Sequence, residues 1–158
     1  IPLIMRYPKL VNSNLTISEM ILNADIAPTF LEMTGVSIPA QMQGKSLVPL
    51  LHGKNENWRK SFLFTYWTDL IYSIPRITAI RTEKYLYSTT PDINDIDELY
   101  DVVNDISEKN NIASANQKIV TQLRKKLQKW QKATNALTPY KNPGYNPSVV
   151  VSPTTGHQ

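Results

Sequence analysis

The sequence predicts an α+β fold in its second half: a small antiparallel sheet covered by a terminal helix. Three observations point to it. Ser61 to Trp67 and Ile77 to Tyr87 carry β-branched and aromatic residues at the density of strands, and Glu98 to Val103 is a third candidate strand. From Ser114 onward the apolar period turns helical, with Ile119, Val120, Leu123, Leu127 and Trp130 on one face and lysines on the other. The chain has 158 residues, 41% hydrophobic and 19% charged, which suits one globular body with a core and excludes a disordered chain.

The first half is read in order. Ile1 to Arg6 is an apolar run closed by Tyr7-Pro8, expected to be a strand buried on both faces. After a polar loop at Asn12-Ser13-Asn14, Ser18 is placed as the N-cap of a helix through Ile21 and Leu22. Pro28 lacks an N–H and is tolerated only in a first helical turn, so Asp25 is expected to cap a second helix running through Phe30 and Leu31. Gly35 is its expected stop. Ile38 to Gly53, with Pro39, Gly44 and Pro49, reads as a loop-rich connection. After Ala136 the composition shifts to Pro, Gly, Ser, Thr and Asn, an extended or disordered tail.

Charge is unevenly laid out. Seven acids and no Lys or Arg lie between Asp92 and Glu108, and eight Lys or Arg and no acid follow from Lys109. An acidic strand-and-loop facing a basic helix is the simple expectation, and a polyanion site on that helix the sharper one. The chain has no cysteine, which excludes disulfides and thiolate metal sites. No apolar run reaches the ~20 residues of a membrane span. The opening residues lack the charged-then-apolar pattern of a signal peptide, so any export signal is expected upstream.

Six blocks, in this order, carry a resemblance to a known family: Ile1-Pro2-Leu3-Ile4-Met5-Arg6-Tyr7-Pro8; Asp25 to Val36, with Asp25-Ile26-Ala27-Pro28-Thr29; Gln43-Gly44-Lys45-Ser46-Leu47-Val48-Pro49-Leu50-Leu51-His52-Gly53, followed by Trp58-Arg59; Ile80-Arg81-Thr82; Glu98-Leu99-Tyr100-Asp101-Val102 with Asp105, Glu108 and Asn111; and Leu123, Leu127, Trp130. Together they resemble the C-terminal third of type I, formylglycine-dependent sulfatases of the alkaline phosphatase superfamily, most like the N-acetylglucosamine-6-sulfatase-like branch. The resemblance implies that residues 1–57 are the end of an α/β sulfatase core (last strand, helix and connection). It implies that 58–136 are a small antiparallel-sheet subdomain with its terminal helix, leaving 137–158 as the tail.

It also implies a parent enzyme that hydrolyses sulfate esters of a sulfated sugar or glycosaminoglycan. Formylglycine and Ca²⁺ would be supplied upstream, in an exported (periplasmic, extracellular or lysosomal) protein. This chain is expected to bind neither cofactor and to hold no catalytic or metal-ligating residue. The formylglycine string needs Cys or Ser, then Pro two residues on and Arg five on; after Ser37-Ile38-Pro39 the residues Gln41 and Met42, and after Ser73-Ile74-Pro75 the residues Ile77 and Thr78, supply no Arg. No nucleic acid partner is expected. Residues that border the sulfate pocket are sought between Tyr66 and Arg76: Tyr66 and Trp67 to stack on a sugar, Asp69 to accept from hydroxyls, Arg76 to take an anionic group in a fork. The competing reading makes Tyr66 and Trp67 strand residues of the small core. Arg81 is expected in a structural ion pair with an acid near Glu98. Two further functions stay open: a related phosphodiesterase or phosphonate hydrolase, and a non-catalytic module binding anionic polymers through Lys118 to Lys132.

Overall fold

The computed structural model describes residues 2–66, 75–91 and 97–134. The chain divides into two compact units, Ile1–Lys60 and Ser61–Gln158. The expected tail and the segments 67–74 and 92–96 lie outside the described residues.

The first unit holds two helices, α1 (Ile26–Met33) and α2 (Val48–Leu51), with a single 3-10 turn at Asn23–Asp25 ahead of α1. Asp25 precedes α1 as expected, with Pro28 inside the first turn. Gly35 ends it at φ 75°, where its N–H reaches Glu32 O and the Val36 N–H reaches Leu31 O. That pair of bonds satisfies carbonyls the helix leaves open, and it needs the left-handed residue that glycine supplies without strain. Gly53 repeats the device after α2, with φ 74° and bonds from Gly53 and Lys54 N–H to Leu50 and Pro49 O.

Three expectations for this unit are corrected. Pro2–Arg6 form no strand and are largely exposed, Ile4 by 92%. A strand exists only through a ladder, and no neighbouring strand is described in this unit. No helix starts at Ser18, because Met20 gives its carbonyl to Trp58 Nε1 (2.8 Å) and Arg59 Nη1 (3.0 Å), and the Leu22 N–H goes to Asp25. Those tertiary bonds take the groups a helix would have used. The connection after Ile38 is not all loop, since Leu47, Leu50 and Leu51 bury around α2. Trp58 and Arg59 bond within this unit, to Met20 and Asp25.

In the second unit, β1 (Ser61–Tyr66), β2 (Ile77–Thr82), β3 (Tyr85–Thr89) and β4 (Glu98–Asp101) form an antiparallel sheet in chain order, followed by α3 (Gln117–Ala133). Register fixes two faces. Leu63, Ile80, Tyr87 and Leu99 share the face that packs under Val120, Leu123 and Leu127 of α3. Phe62, Phe64, Ala79, Arg81, Leu86, Ser88, Glu98 and Tyr100 share the other. The lysines of α3 point away from the core and are exposed.

Among the described residues, charge pairs the helix to the sheet through Arg124 and Asp97. The hydroxyl of fully buried Tyr87 donates to Asp97 Oδ1 (2.9 Å) and accepts from Arg124 Nε (3.1 Å), while Arg124 Nη2 meets Asp97 Oδ2. Beyond β4, Asn111 Oδ1 accepts the N–H of Leu99 (3.1 Å) and Ala113 (3.0 Å), and the Ile112 N–H reaches Leu99 O (2.9 Å). That strand edge is thereby covered.

Replacing Leu127 by Ala should lower the stability of the chain by about 2–5 kcal/mol, through lost burial and the cavity left under α3. Tyr87→Phe should cost only about 1 kcal/mol, because Asp97 and Arg124 keep each other. Urea titrations of the two variants against the parent sequence measure both, and equal losses would refute this division of roles.

Candidate functional site

Two places draw functional attention, and they differ in kind. The first is built on Asp25, whose side chain is fully buried. Its carboxylate accepts from Leu22 N–H (2.8 Å), Lys45 N–H (2.8 Å), Arg59 Nη1 (2.5 Å) and Arg59 Nη2 (2.6 Å). The Arg59 guanidinium carbon lies over Trp58, 4.8 Å from the ring centre, and its fork meets both carboxylate oxygens. Thr29 donates to Asp25 O (2.5 Å) and accepts from Leu47 N–H (2.9 Å), so two side chains of one block receive backbone donors of the next. Gly44 sits where a Cβ would overlap the Ala24 carbonyl. Burial raises the Asp25 pKa, but the hydrogen bonds from Arg59, Leu22 and Lys45 outweigh it and hold the carboxyl below its ordinary value. With every acceptor position engaged, this carboxylate is a structural clamp and has no lone pair to offer a metal.

The second place is the end of the β1–β2 pair where the expected sugar-facing residues lie. Tyr66 closes β1 half-buried and pairs with Ile77, and half-buried Arg76 precedes Ile77, so the two flank the base of the 67–74 segment. Trp67 and Asp69 fall in that segment, outside the described residues. Tyr66 follows Phe62 and Phe64 along the same side of β1, the face turned away from α3. There Phe62, Phe64, Arg81, Leu86, Tyr100 and Glu108 contribute to the lining of a concavity of about 580 Å³.

Arg81 departs from expectation. It makes no ion pair with Glu98, whose carboxylate takes the Ser88 hydroxyl (2.9 Å). Its Nη1 is buried with no hydrogen-bond partner among the described residues. Burial lowers its pKa, and Glu108 acts the other way. An alternating strand gives Arg81 its face, but the unmade Nη1 hydrogen bond is visible only in three dimensions.

The acids of the β4 block serve their own turns. Asp101 Oδ1 accepts from Val103 and Asn104 N–H, and Asp105 Oδ2 from Asn110 N–H. Among the described residues no three His, Cys, Asp or Glu side chains gather as metal ligands. This donor set does not fit Ca²⁺, which takes six to eight oxygens.

Residues 1–133 match the family described as N-sulphoglucosamine sulphohydrolase, C-terminal. The chain belongs to that family. It is 39% identical over 117 residues to the N-acetylglucosamine-6-O-sulfatase of Bacteroides thetaiotaomicron, an alignment covering 70% of this chain and 21% of that protein. It is 43% identical over 67 residues to an extracellular sulfatase SULF-1 homolog of Drosophila melanogaster, covering 40% of this chain and 6% of that one. Among solved structures it is similar to BT4656 in complex with its substrate D-glucosamine-2-N,6-O-disulfate, with a TM-score of 0.76 and 32% identity over 87% of this chain and 29% of that one. This sulfatase domain therefore spans about a fifth of the length of the first of these relatives. No helix among the described residues is long and apolar enough to cross a membrane.

The Asp25 clamp predicts an acid limit. A carboxyl whose folded pKa is depressed stabilises fully above its unfolded value, near 3.9, and loses that contribution as pH falls through the folded one. Asp25→Asn leaves Arg59 buried without its counter-charge and should cost about 3–5 kcal/mol at pH 7. The deficit should shrink on acidification to pH 3. Melts of both proteins at pH 7, 5 and 3 test this, and a pH-independent gap would show that the charge is not what matters.

Proposed function

We propose that this chain is the C-terminal region of an exported sulfatase that hydrolyses sulfate esters on a sulfated sugar or glycosaminoglycan. The observation that carries the reading is the family match over residues 1–133 together with the way those residues interlock, with Asp25, Thr29, Gly44 and Arg59 fixing one another. In this reading the nucleophile, a formylglycine, and its Ca²⁺ belong to the upstream part of the parent. The similarity to an N-acetylglucosamine-6-O-sulfatase, to a sulfatase bound to a sulfated glucosamine and to an extracellular sulfatase homolog supports a sugar substrate and export.

Within the parent, this chain's contribution to catalysis is to substrate recognition. Tyr66, Trp67, Asp69 and Arg76 border the sulfated sugar: the aromatic rings provide faces for stacking, the carboxylate accepts from sugar hydroxyls, and the guanidinium meets a sulfate or carboxylate. None of these groups needs to move a proton, so their removal weakens binding more than turnover.

The test uses the parent protein and the 158-residue chain side by side on an aryl sulfate, on 6-O-sulfated N-acetylglucosamine and on an aryl phosphonate. The parent should release sulfate, with Ca²⁺ removal abolishing activity, and the chain alone should release none. In the parent, Arg76→Ala should raise KM for the sulfated sugar about tenfold, equivalent to about 1.4 kcal/mol, with kcat changed far less. Sulfate release by the chain alone would overturn the assignment of chemistry upstream. A parent acting only on the phosphonate would make the protein a phosphonate hydrolase of the same fold.

A further inference from the structure

The outer side of α3 carries charge of one sign. Lys118, Arg124, Lys125, Lys126, Lys129 and Lys132 give this helix six of the chain's 17 Lys and Arg and none of its 13 acids. The remaining 11 basic residues are outnumbered by those acids, so the net positive charge of the protein is concentrated on α3. The helix is held in one rotation, because Val120, Leu123, Leu127 and Gln131 are buried and Arg124 is tied to Asp97 and Tyr87. At 3.6 residues per turn, Lys118, Lys125, Lys129 and Lys132 then fall within about 60° of one another, opposite the buried side, along about 21 Å of helix. All four are exposed.

A solvated helix face normally mixes its signs, since opposite charges three or four residues apart stabilise a helix and like charges there destabilise it. Here Lys125 and Lys129 are four apart, and Lys129 stands three from both Lys126 and Lys132. Lys118 lies in the first turn, where the helix dipole disfavours a cation and no acid offsets it. Among the described residues none of these lysines is paired with a carboxylate. The repulsion therefore has no internal remedy and is relieved by an anion from outside. Four ammonium groups along a convex ridge cannot converge on one compact ion, so the fitting anion is linear. Lipid does not fit, because the apolar side of α3 is already spent on the sheet. Single-stranded nucleic acid fits poorly, because its bases need aromatic faces among the cations and the stripe has none. A polysaccharide with sulfate or carboxylate on successive sugars fits well, and Gln122, in the same stripe, presents an amide to sugar hydroxyls.

We infer that the stripe Lys118, Lys125, Lys129 and Lys132 is a second binding surface, which holds a stretch of sulfated polysaccharide apart from the sugar whose ester is cleaved. The inference rests on the reading of the parent as an enzyme of sulfated glycans. Each exposed lysine contributes little by itself and is screened by salt, so the surface works by number and by the polymer's charge density. A polymer held on α3 keeps its remaining sulfate groups near the enzyme at a high effective concentration, which favours repeated encounters with one chain.

The experiment measures binding of the full-length parent to a fluorescein-labelled heparin oligosaccharide by anisotropy, at low and at physiological ionic strength. One variant carries Lys118→Gln, Lys125→Gln, Lys129→Gln and Lys132→Gln, and a second carries Arg at the same four positions. A third loses equal charge at exposed lysines elsewhere, through Lys9→Gln, Lys54→Gln, Lys60→Gln and Lys109→Gln. Should the first variant not fold, the pair Lys125→Gln and Lys129→Gln replaces it. The stripe variant should bind about tenfold more weakly, with a shallower salt dependence, while the Arg variant and the scattered variant stay within about threefold of the parent. Equal weakening in the stripe and scattered variants, or none in the stripe variant, would overturn the inference. So would tighter binding of a labelled single-stranded DNA than of the glycan, lost in the same variant. The readout needs no turnover: a parent that releases no sulfate but loses glycan binding with the stripe fails the functional reading alone, and an active sulfatase with unchanged binding fails this one alone.

Discussion

A single buried carboxylate organises the first unit. Asp25 is surrounded by four donors that come from three places in the sequence: its own entry turn at Leu22, the Gly44-Lys45 segment and Arg59. An anion stripped of water is tolerated only when every lone pair is met, so these three places must arrive together or not at all. The other fixed features follow from that. Gly44 is needed because its backbone must approach Ala24 closely enough to aim the Lys45 N–H at the carboxylate. Thr29 holds Leu47 in line one turn further on, which seats Leu47 and Leu50 in the small core. The Trp58 ring lies under the guanidinium. The unit has little apolar mass, and polar convergence does the specifying that a larger core would do.

The second unit is specified in the opposite way. Its register follows from the alternation of half-buried Leu63 and fully buried Ile80, Tyr87 and Leu99 against α3, a fully buried Ile or Leu contributing roughly 1.5–3 kcal/mol. Polar groups then finish what burial begins. Tyr87, Asp97 and Arg124 fix the helix against the sheet, and Asn111 closes the edge of β4. The acidic block and the basic helix, so conspicuous in the sequence, thus meet among the described residues through Asp97 and Arg124, while the α3 lysines face water.

What the sequence discloses follows this division. The strands and α3 were legible because burial imposes a period, and periods survive in a linear text. Pro28 and Gly35 bounded α1 for the same local reasons. The misreadings concern residues whose conformation is decided at a distance. Ser18 looks like a cap, but Met20 and Leu22 are claimed by Trp58, Arg59 and Asp25. The run from Pro2 to Arg6 looks like a strand, yet a strand's hydrogen bonds belong to a neighbour that the described residues do not include. The expected partner of Arg81 was an acid close in the sheet, and register set Glu98 one row away, bonded to Ser88. Of the expected substrate-facing residues, alternation locates Tyr66 and strand pairing locates Arg76.

The residues that make the family recognisable here are therefore holding residues. Asp25, Thr29, Gly44, Arg59, Asp101, Asp105 and Asn111 each have their polar atoms or their backbone engaged in a stated contact. Chemistry needs the reverse, a group whose valence is left open for something that comes and goes. On Arg81 one donor, Nη1, is buried without a hydrogen bond among the described residues, and it lies in the concavity on the sheet face, lined by Phe62, Leu86 and Tyr100 and by Glu98 and Glu108. A substrate that must leave thousands of times is poorly served by such a face, where release would re-expose rings and an unpaired buried donor at each turnover. The concave face of the sheet therefore suits structure, and the sugar recognition proposed above is better sought at its end, where Tyr66 and Arg76 bracket the connection between β1 and β2.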